Sequence, residues 1–324
     1  MSAETATNVD IDDLRQRKFG SYTHSFTSRD LCLYALGLGC KPTKDLQYVY
    51  EGHPQFQALP TYCIIAAHPA MALIPLETYI PGFDRTRALH GEQFLRLLSP
   101  LPPHGKLVTR AQLTDVRDKG KGKGVVTHVR TVTTDTLTGR DVAVAEFVGF
   151  ALGAGGFGSP WPPAPRPPGA ELDCTPPSRP PDMEVDCPTH PDQAALYRLS
   201  GDLNPLHVDP AQAAAIGGFP QPILHGLCSM GIAVKAVVDA CGQGDQSRLR
   251  SVKVRFSKHV FPGDTLTVRM WRVGGAAGQS NAAAGANPSA SQRVIFEASV
   301  VSRNALVLTS AAVELGKAPQ ASKL

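Results

Sequence analysis

The sequence predicts an α+β fold made of two consecutive repeats, and three observations lead there. A proline-rich segment, residues 159–184, cuts the 324-residue chain into halves of similar length. Both halves follow one order, from a helical or coiled opening through an apolar helix into long β-like runs. In the second half the two periodicities are cleanly separated: apolar residues recur at helical spacing over residues 222–240, and the β-branched runs that follow largely alternate. One helix followed by an antiparallel sheet able to wrap it is α+β architecture.

The elements follow in order. In the first half (residues 1–158) an apolar stretch over residues 63–76 contains the helix, interrupted by His68, Pro69 and Pro75, and strands are expected at 107–116, 125–134 and 140–152. The run from Asp118 to Gly124 alternates lysine and glycine and reads as a solvated hairpin turn, with phosphate contact the lesser reading. Residues 153–158 match GxGxxG in part, but they run into prolines instead of a helix, so the context that cradles a phosphate is missing. The prolines of residues 159–184 exclude helix and interior strand, which predicts a semi-stiff extended linker. In the second repeat (residues 185–315) Leu224, Leu227, Cys228, Gly231, Val234 and Val238 mark the helix and Gly242 closes it. Strands are expected at 251–261, 265–273, 293–301 and 305–314. Residues 274–291, rich in Gly, Ala, Ser and Asn, read as a long flexible hairpin insertion. A tail, residues 316–324, ends in Ser322-Lys323-Leu324, a receptor-read peroxisomal address.

Composition excludes several classes. With 42% apolar and 19% charged residues the chain is globular, and no apolar run reaches the ~20 residues of a membrane span. The first residues lack the basic flank and apolar core of a secretory signal. Seven cysteines without CxxC spacing read as reduced core thiols, which predicts neither a disulfide frame nor a metal site. A net charge of +4, with Lys and Arg scattered, gives no support to nucleic-acid binding and suits an anionic ligand.

The chemistry is concentrated in Tyr197-Arg-Leu-Ser-Gly-Asp202-Leu-Asn204-Pro-Leu-His207-Val-Asp209-Pro210, followed by Gly218-Phe-Pro-Gln-Pro-Ile-Leu-His225-Gly226-Leu. Asn204-Pro205 forces a turn between Asp202 and His207, so a carboxylate and an imidazole can converge on one water as general base and general acid. Gly226 opens the apolar helix, where backbone N–H groups lack intrahelical partners, and glycine lets a carbonyl approach closely. His225 reads as a helix-start hydrogen-bonding and packing residue.

These two stretches resemble the signature of the (R)-specific 2-enoyl-CoA hydratases, found in the hydratase unit of the peroxisomal multifunctional enzyme type 2 and in small bacterial MaoC-like proteins. Leu89-His90-Gly91-Glu92-Gln93 and the glycines of residues 153–158 are similar to the first repeat of that enzyme, so the resemblance covers nearly the whole chain. It implies a double hot-dog fold, each half a long helix wrapped by a curved antiparallel sheet. It also implies hydration of a trans-2-enoyl-CoA to the (3R)-3-hydroxyacyl-CoA without a metal or redox cofactor. Asp202, His207 and the Gly226 N–H would be catalytic, with Asn204, His225 and Glu92 supporting; which of Asp202 and His207 is the base stays open.

Laying Asp30 against Asp202 puts Cys32 and Ala35 at the places of Asn204 and His207, and Ile64 at that of Gly226. On this reading the first half has lost catalysis and is free to receive an acyl chain. Arg255, Lys258 and His259 are candidates for the CoA phosphates. The expected partners are the enoyl-CoA substrate, a peroxisomal import receptor and, as pathway neighbour, a (3R)-hydroxyacyl-CoA dehydrogenase. A homodimer is compatible with the sequence, which leaves oligomeric state open. Competing readings are a hot-dog acyl-CoA thioesterase and a non-catalytic acyl-CoA binding module.

Overall fold

Ten strands pair antiparallel into one sheet in the computed structural model, which describes residues 11–158, 162–273 and 290–317. They are β1 (Tyr22–Phe26), β2 (Ala88–Leu97), β3 (Gly105–Asp118), β4 (Val125–Asp135), β5 (Asp141–Ala151), β6 (Met183–Pro188), β7 (Leu249–Phe256), β8 (Thr265–Val273), β9 (Ala290–Val300) and β10 (Ala305–Gly316). Their order is β1-β3-β4-β5-β2-β7-β10-β9-β8-β6, so each half contributes five strands in mirrored sequence. The halves join where β2 pairs antiparallel with β7, from Glu92 opposite Arg255 to Arg96 opposite Ser251. Strict alternation drives this arrangement: in β4 every second residue, from Val125 to Asp135, is buried.

The helix Gly226–Cys241 lies against β6, β7, β8, β9 and β10. It starts four residues later than the periodicity predicts, because residues 222–225 remain extended and His225 is the cap. The first half departs from the expected symmetry. Its helix spans only Tyr62–Ala67 and continues as a 3₁₀ turn, His68–Leu73, because Pro69 removes a donor and its ring obstructs the regular helix. The expectation of a long helix in each repeat therefore holds for the second alone. Around both helices one core runs through the two halves, including Tyr34, Tyr62, Leu95, Met230, Val252 and Phe296. Gly231 lets them meet closely, since a Cβ there would stand 2.7 Å from Leu38. Lys235 reaches across from the long helix to Asp45 of the first half at 2.6 Å and to Asp239 at 2.7 Å.

Two more expectations are corrected. Strand β7 ends at Phe256 and not at residue 261, and the following chain turns away, with Val260 O accepting from Leu224 N–H. The superposition of Asp30 on Asp202 is out of register: the helix Ser28–Gly37 follows β1 as Gln193–Tyr197 follows β6, so Gly39-Cys40 matches Gly201-Asp202. Gly39 and Gly201 both have positive φ, of 81° and 140°. Asp30 is a capping residue, bonded to Thr27 N–H and hydroxyl at 2.8 Å. The hairpin insertion reading falls mostly on residues 274–289, outside the described residues, as do residues 318–324 of the tail.

The glycines of residues 153–158 cradle a carboxylate of the protein itself: Gly156 and Gly158 N–H donate to Asp118 at 2.8 and 2.6 Å. The lysine-glycine run does form the turn between β3 and β4. The described part of the linker turns at residues 168–171 and is no free spacer, and the last residues expected in it already belong to β6. Leu172 and Cys174 pack with Trp271, Ile295 and Ala312, and Trp271 Nε1–H donates to Arg179 O at 2.9 Å. Arg166 pairs with both Glu92 of β2 and Glu146 of β5. Their neighbours Gln93 and Phe147 face the short helix, so by the alternation of strands these carboxylates stand on the opposite, outer face. Glu146 is 1% exposed, and a buried charge stripped of its partner is costly. Arg166→Leu is expected to lower stability by about 3 kcal/mol in urea unfolding. A loss below about 1 kcal/mol, the scale of an exposed ion pair, would show the linker contact to be incidental.

Candidate active site

The turn that carries the chemistry is set by short-range bonds. Gly201, at φ 140°, takes a conformation that side chains rarely adopt, and a Cβ there would lie 3.3 Å from Ile65 of the short helix. Asn204 N–H donates to Asp202 Oδ1 at 3.2 Å, and Asn204 Oδ1 accepts from Leu206 N–H at 3.0 Å. That bond starts the 3₁₀ turn Pro205–His207, which swings His207 back over Asp202. Asp209 then caps the helix Pro210–Gly217 through Ala211 and Gln212 N–H. Asp202, His207 and His225 end with their donor atoms all within 4.8 Å of one another. Among the described residues this is the one group whose geometry suits a shared cation.

Each imidazole has one nitrogen committed to a backbone carbonyl. His207 Nδ1 lies 2.8 Å from Ile223 O, so it carries the hydrogen and leaves Nε2 as a bare acceptor. His225 Nε2 lies 3.1 Å from Asp202 O, which ties the turn to the helix start. The two rings stack with centroids 3.7 Å apart. His207 is 8% exposed and His225 1%, and burial pushes both pKa values below the usual histidine range, so both rings are neutral at pH 7. Asp202 moves the other way in charge: burial alone would raise its pKa, but the facing rings of His225, His68 and His207 and the Asn204 N–H outweigh it and hold the carboxyl below its ordinary value.

Gly226 begins the long helix with His225 as its cap. His225 O accepts from Cys228 and Ser229 N–H at 3.1 Å, and the Gly226 and Leu227 N–H groups have no hydrogen-bond partner among the described residues. Phe256 packs over the glycine, where a Cβ would stand 3.1 Å from its ring. A side chain at residue 226 would therefore displace the wall of the site.

Two histidines of the first half close the far side. His90 packs at a tilt between Phe147 and Phe256, with centroids at 4.0 and 4.6 Å, and His68 meets Phe147 edge-on at 6.5 Å. Sequence reasoning passed over both, choosing Glu92 from the motif that contains His90. Glu92 does stand at the junction of halves, but on the outer face with Arg166, away from Asp202. Arg255 is exposed on β7 between Val254 and Phe256, both of which face the core, so it too points outward. Lys258 is exposed in the loop after Phe256, and His259 lies against Phe219 and Phe261 at 4.7 and 4.8 Å.

Comparison with known proteins agrees with this geometry. Residues 24–153 match the family model "MFE-2 hydratase 2 N-terminal domain", and residues 174–292 match "MaoC like domain". A Dictyostelium discoideum protein named probable enoyl-CoA hydratase 2 is 40% identical over 82% of this chain and 88% of its own length. The peroxisomal hydratase-dehydrogenase-epimerase of Neurospora crassa is 39% identical over 90% of this chain, which spans only 30% of that longer relative. Among solved structures, a MaoC-like dehydratase from Phytophthora capsici is 33% identical, with a TM-score of 0.76 over 96% of this chain and all of that one. A Mycobacterium tuberculosis protein with a double hotdog fold, 17% identical at TM-score 0.55, shares the fold. With both repeats matched in order and a single-function relative covered almost end to end, the chain belongs to the MaoC-like enoyl-CoA hydratase 2 family.

Proposed function

We propose that this protein catalyses the reversible syn hydration of trans-2-enoyl-CoA to (3R)-3-hydroxyacyl-CoA, as a step of peroxisomal fatty-acid β-oxidation. The observation that carries the reading is the convergence of an ionised Asp202 and the bare Nε2 of a neutral His207 beside the unpartnered N–H of Gly226. A water held by the carboxylate and Nε2 presents its oxygen to the β carbon. As the C–O bond forms, Asp202 takes one proton, and electron density moves through the double bond to the thioester oxygen, where the Gly226 N–H receives it. Asp202 returns that proton to the α carbon on the same face, while His207 orients the hydroxyl through its remaining hydrogen. Because neither group holds a spare proton at pH 7, His207 orients instead of donating, which narrows the division of labour read from the sequence. Lys258 and His259 are the candidate CoA contacts.

The first half supplies the wall beside the acyl chain. A cavity under its short helix, lined by residues including Ile64, Ala67, His68, Met71 and Phe147, has room for little more than one water, so a long acyl chain would have to displace these side chains to enter the first half. Hydration of crotonyl-CoA, followed as loss of enoyl absorbance with no release of free thiol, separates this reading from a thioesterase and from a binding module. The (3R) product suits a (3R)-hydroxyacyl-CoA dehydrogenase as the next enzyme. The peroxisomal relatives support residence in that organelle, and Ser322, Lys323 and Leu324 supply the import-receptor address.

Since both groups act on one water, Asp202→Asn and His207→Gln are each expected to lower kcat by about 10²–10⁴-fold with little change in substrate binding. The double variant should be little worse than either single one. Near-normal turnover in either folded variant, or (3S) product from the wild type, sinks the mechanism. The pH profile of kcat/KM tests the charge states. Both pKa values are depressed, so activity should be flat through neutrality and fall only below pH 6.5, as His207 and then Asp202 gain protons. An acid limb centred above pH 6.5 contradicts a neutral His207. For targeting, an N-terminal fluorescent fusion should be peroxisomal and become cytosolic when residues 322–324 are deleted; unchanged import after deletion refutes the address.

A further inference from the structure

His225 occupies the N-cap of the long helix without capping it. Side chains favoured at that position are Ser, Thr, Asp and Asn, which accept from the free N–H groups of the first turn. The side chain of His225 makes no such bond. Its Nε2 lies 3.1 Å from Asp202 O, and a carbonyl can only accept, so Nε2 carries the ring hydrogen and Nδ1 is an acceptor. That Nδ1 is buried with no partner among the described residues, and the Gly226 and Leu227 N–H groups stay open beside it in sequence. An acceptor buried unpaired costs stability, so starting the helix does not account for this residue.

The ring serves the other parts of the site instead. Through Nε2–H it holds the backbone of Asp202, and it stacks on His207 with centroids 3.7 Å apart. Tyr197, which precedes the catalytic turn, packs against the same ring at 5.0 Å. The backbone oxygen of His225 accepts from Cys228 and Ser229 N–H, which fixes the first helical turn behind Gly226. Asp202 and His207 lie on one turn and Gly226 opens a helix beyond it, and His225 touches both.

We propose that His225 is a positioning residue: its bond to Asp202 O and its stack on His207 fix the catalytic turn against the helix start, while its failure to cap leaves the helix-start N–H groups free for the thioester oxygen. This rests on the hydratase reading and assigns His225 a kinetic role that a capping or packing residue would not have. Groups that must meet in a narrow geometry lose rate steeply when displaced, so loosening this joint lowers turnover and leaves binding nearly intact.

The test measures kcat and KM for crotonyl-CoA, and Tm, in the full-length protein and three variants, with kinetics taken well below the lowest Tm. His225→Gln puts an amide N–H near the place of Nε2 and should keep kcat within about tenfold of the wild type. His225→Asn is a good cap but too short to reach Asp202 O, and His225→Phe keeps the stack without the donor. Each of these two should lower kcat by about 10²-fold while KM changes by less than about threefold. A capping role predicts the reverse order, with Asn more active than Gln, and that order overturns the proposal. Near-normal kcat in His225→Phe overturns it as well, as does a loss that falls on KM with kcat retained. Should the Asn and Phe variants not fold, Gln decides: kcat within about tenfold upholds the inference and a greater loss overturns it. Failure of the wild type to hydrate crotonyl-CoA defeats the hydratase reading and this inference with it, whereas wild-type hydration with any contrary result in the variants defeats this inference alone.

Discussion

Everything in this molecule depends on the pairing of β2 with β7. Each half alone would end in an open strand, with a row of unpaired amides and carbonyls exposed. Joining the two edges satisfies both rows and fixes the distance and tilt between the halves. That places the short helix of the first against the catalytic turn of the second, so that Ile65 touches Gly201. The outer consequence is equally direct: Glu92, Arg166 and Glu146 meet across the same region, and the linker is held where its prolines could otherwise wander.

The site illustrates how burial selects charge. Four histidines lie around or near one carboxylate, and a simple count of positive partners would suggest a strongly cationic pocket. Desolvation decides otherwise, because taking a charged imidazole out of water costs more than one shared carboxylate returns. The result is a single negative charge among neutral rings, two of which, His207 and His225, each have one nitrogen held by a backbone carbonyl. Such a pocket accepts protons and directs hydrogens with little rearrangement during the reaction, which is the economy that preorganised sites exploit.

How much of this was legible in the sequence follows from how local each determinant is. Asp202, Asn204, His207 and Gly226 lie within one stretch whose turn and cap residues report their own geometry, and strand β8 was bounded correctly from alternation and flanking turns. The edge strands β1 and β6 were missed because they are short and half exposed, so their pattern is weak. The register of the halves failed for a related reason: an aspartate near a serine, as at Asp30, is a common cap, and only the order of strand and helix shows that Cys40 takes the place of Asp202. His68 and His90 carried no periodic signal at all. Their meaning lies in contacts with Phe147 and Phe256, which topology makes and spacing cannot announce. Arg255 was placed on a strand without its facing, and β2, which carries Glu92, was not read as a strand at all because it holds no β-branched residue and is broken by the bulge between His90 and Glu92.

The β2–β7 seam also has a temporal side. Its partners lie about half the chain apart, whereas every other strand pair joins two strands of the same half. Closing so long a loop is entropically expensive and is repaid only when the complementary edge is already formed. The seam must therefore zip late, between two halves that have each begun to curl around their own helix. Until it does, a nascent chain displays two sticky edges of matching length, and encounters between chains compete with the encounter inside one. The two edges that the seam finally covers are therefore the ones most open to misassembly while the chain is being made.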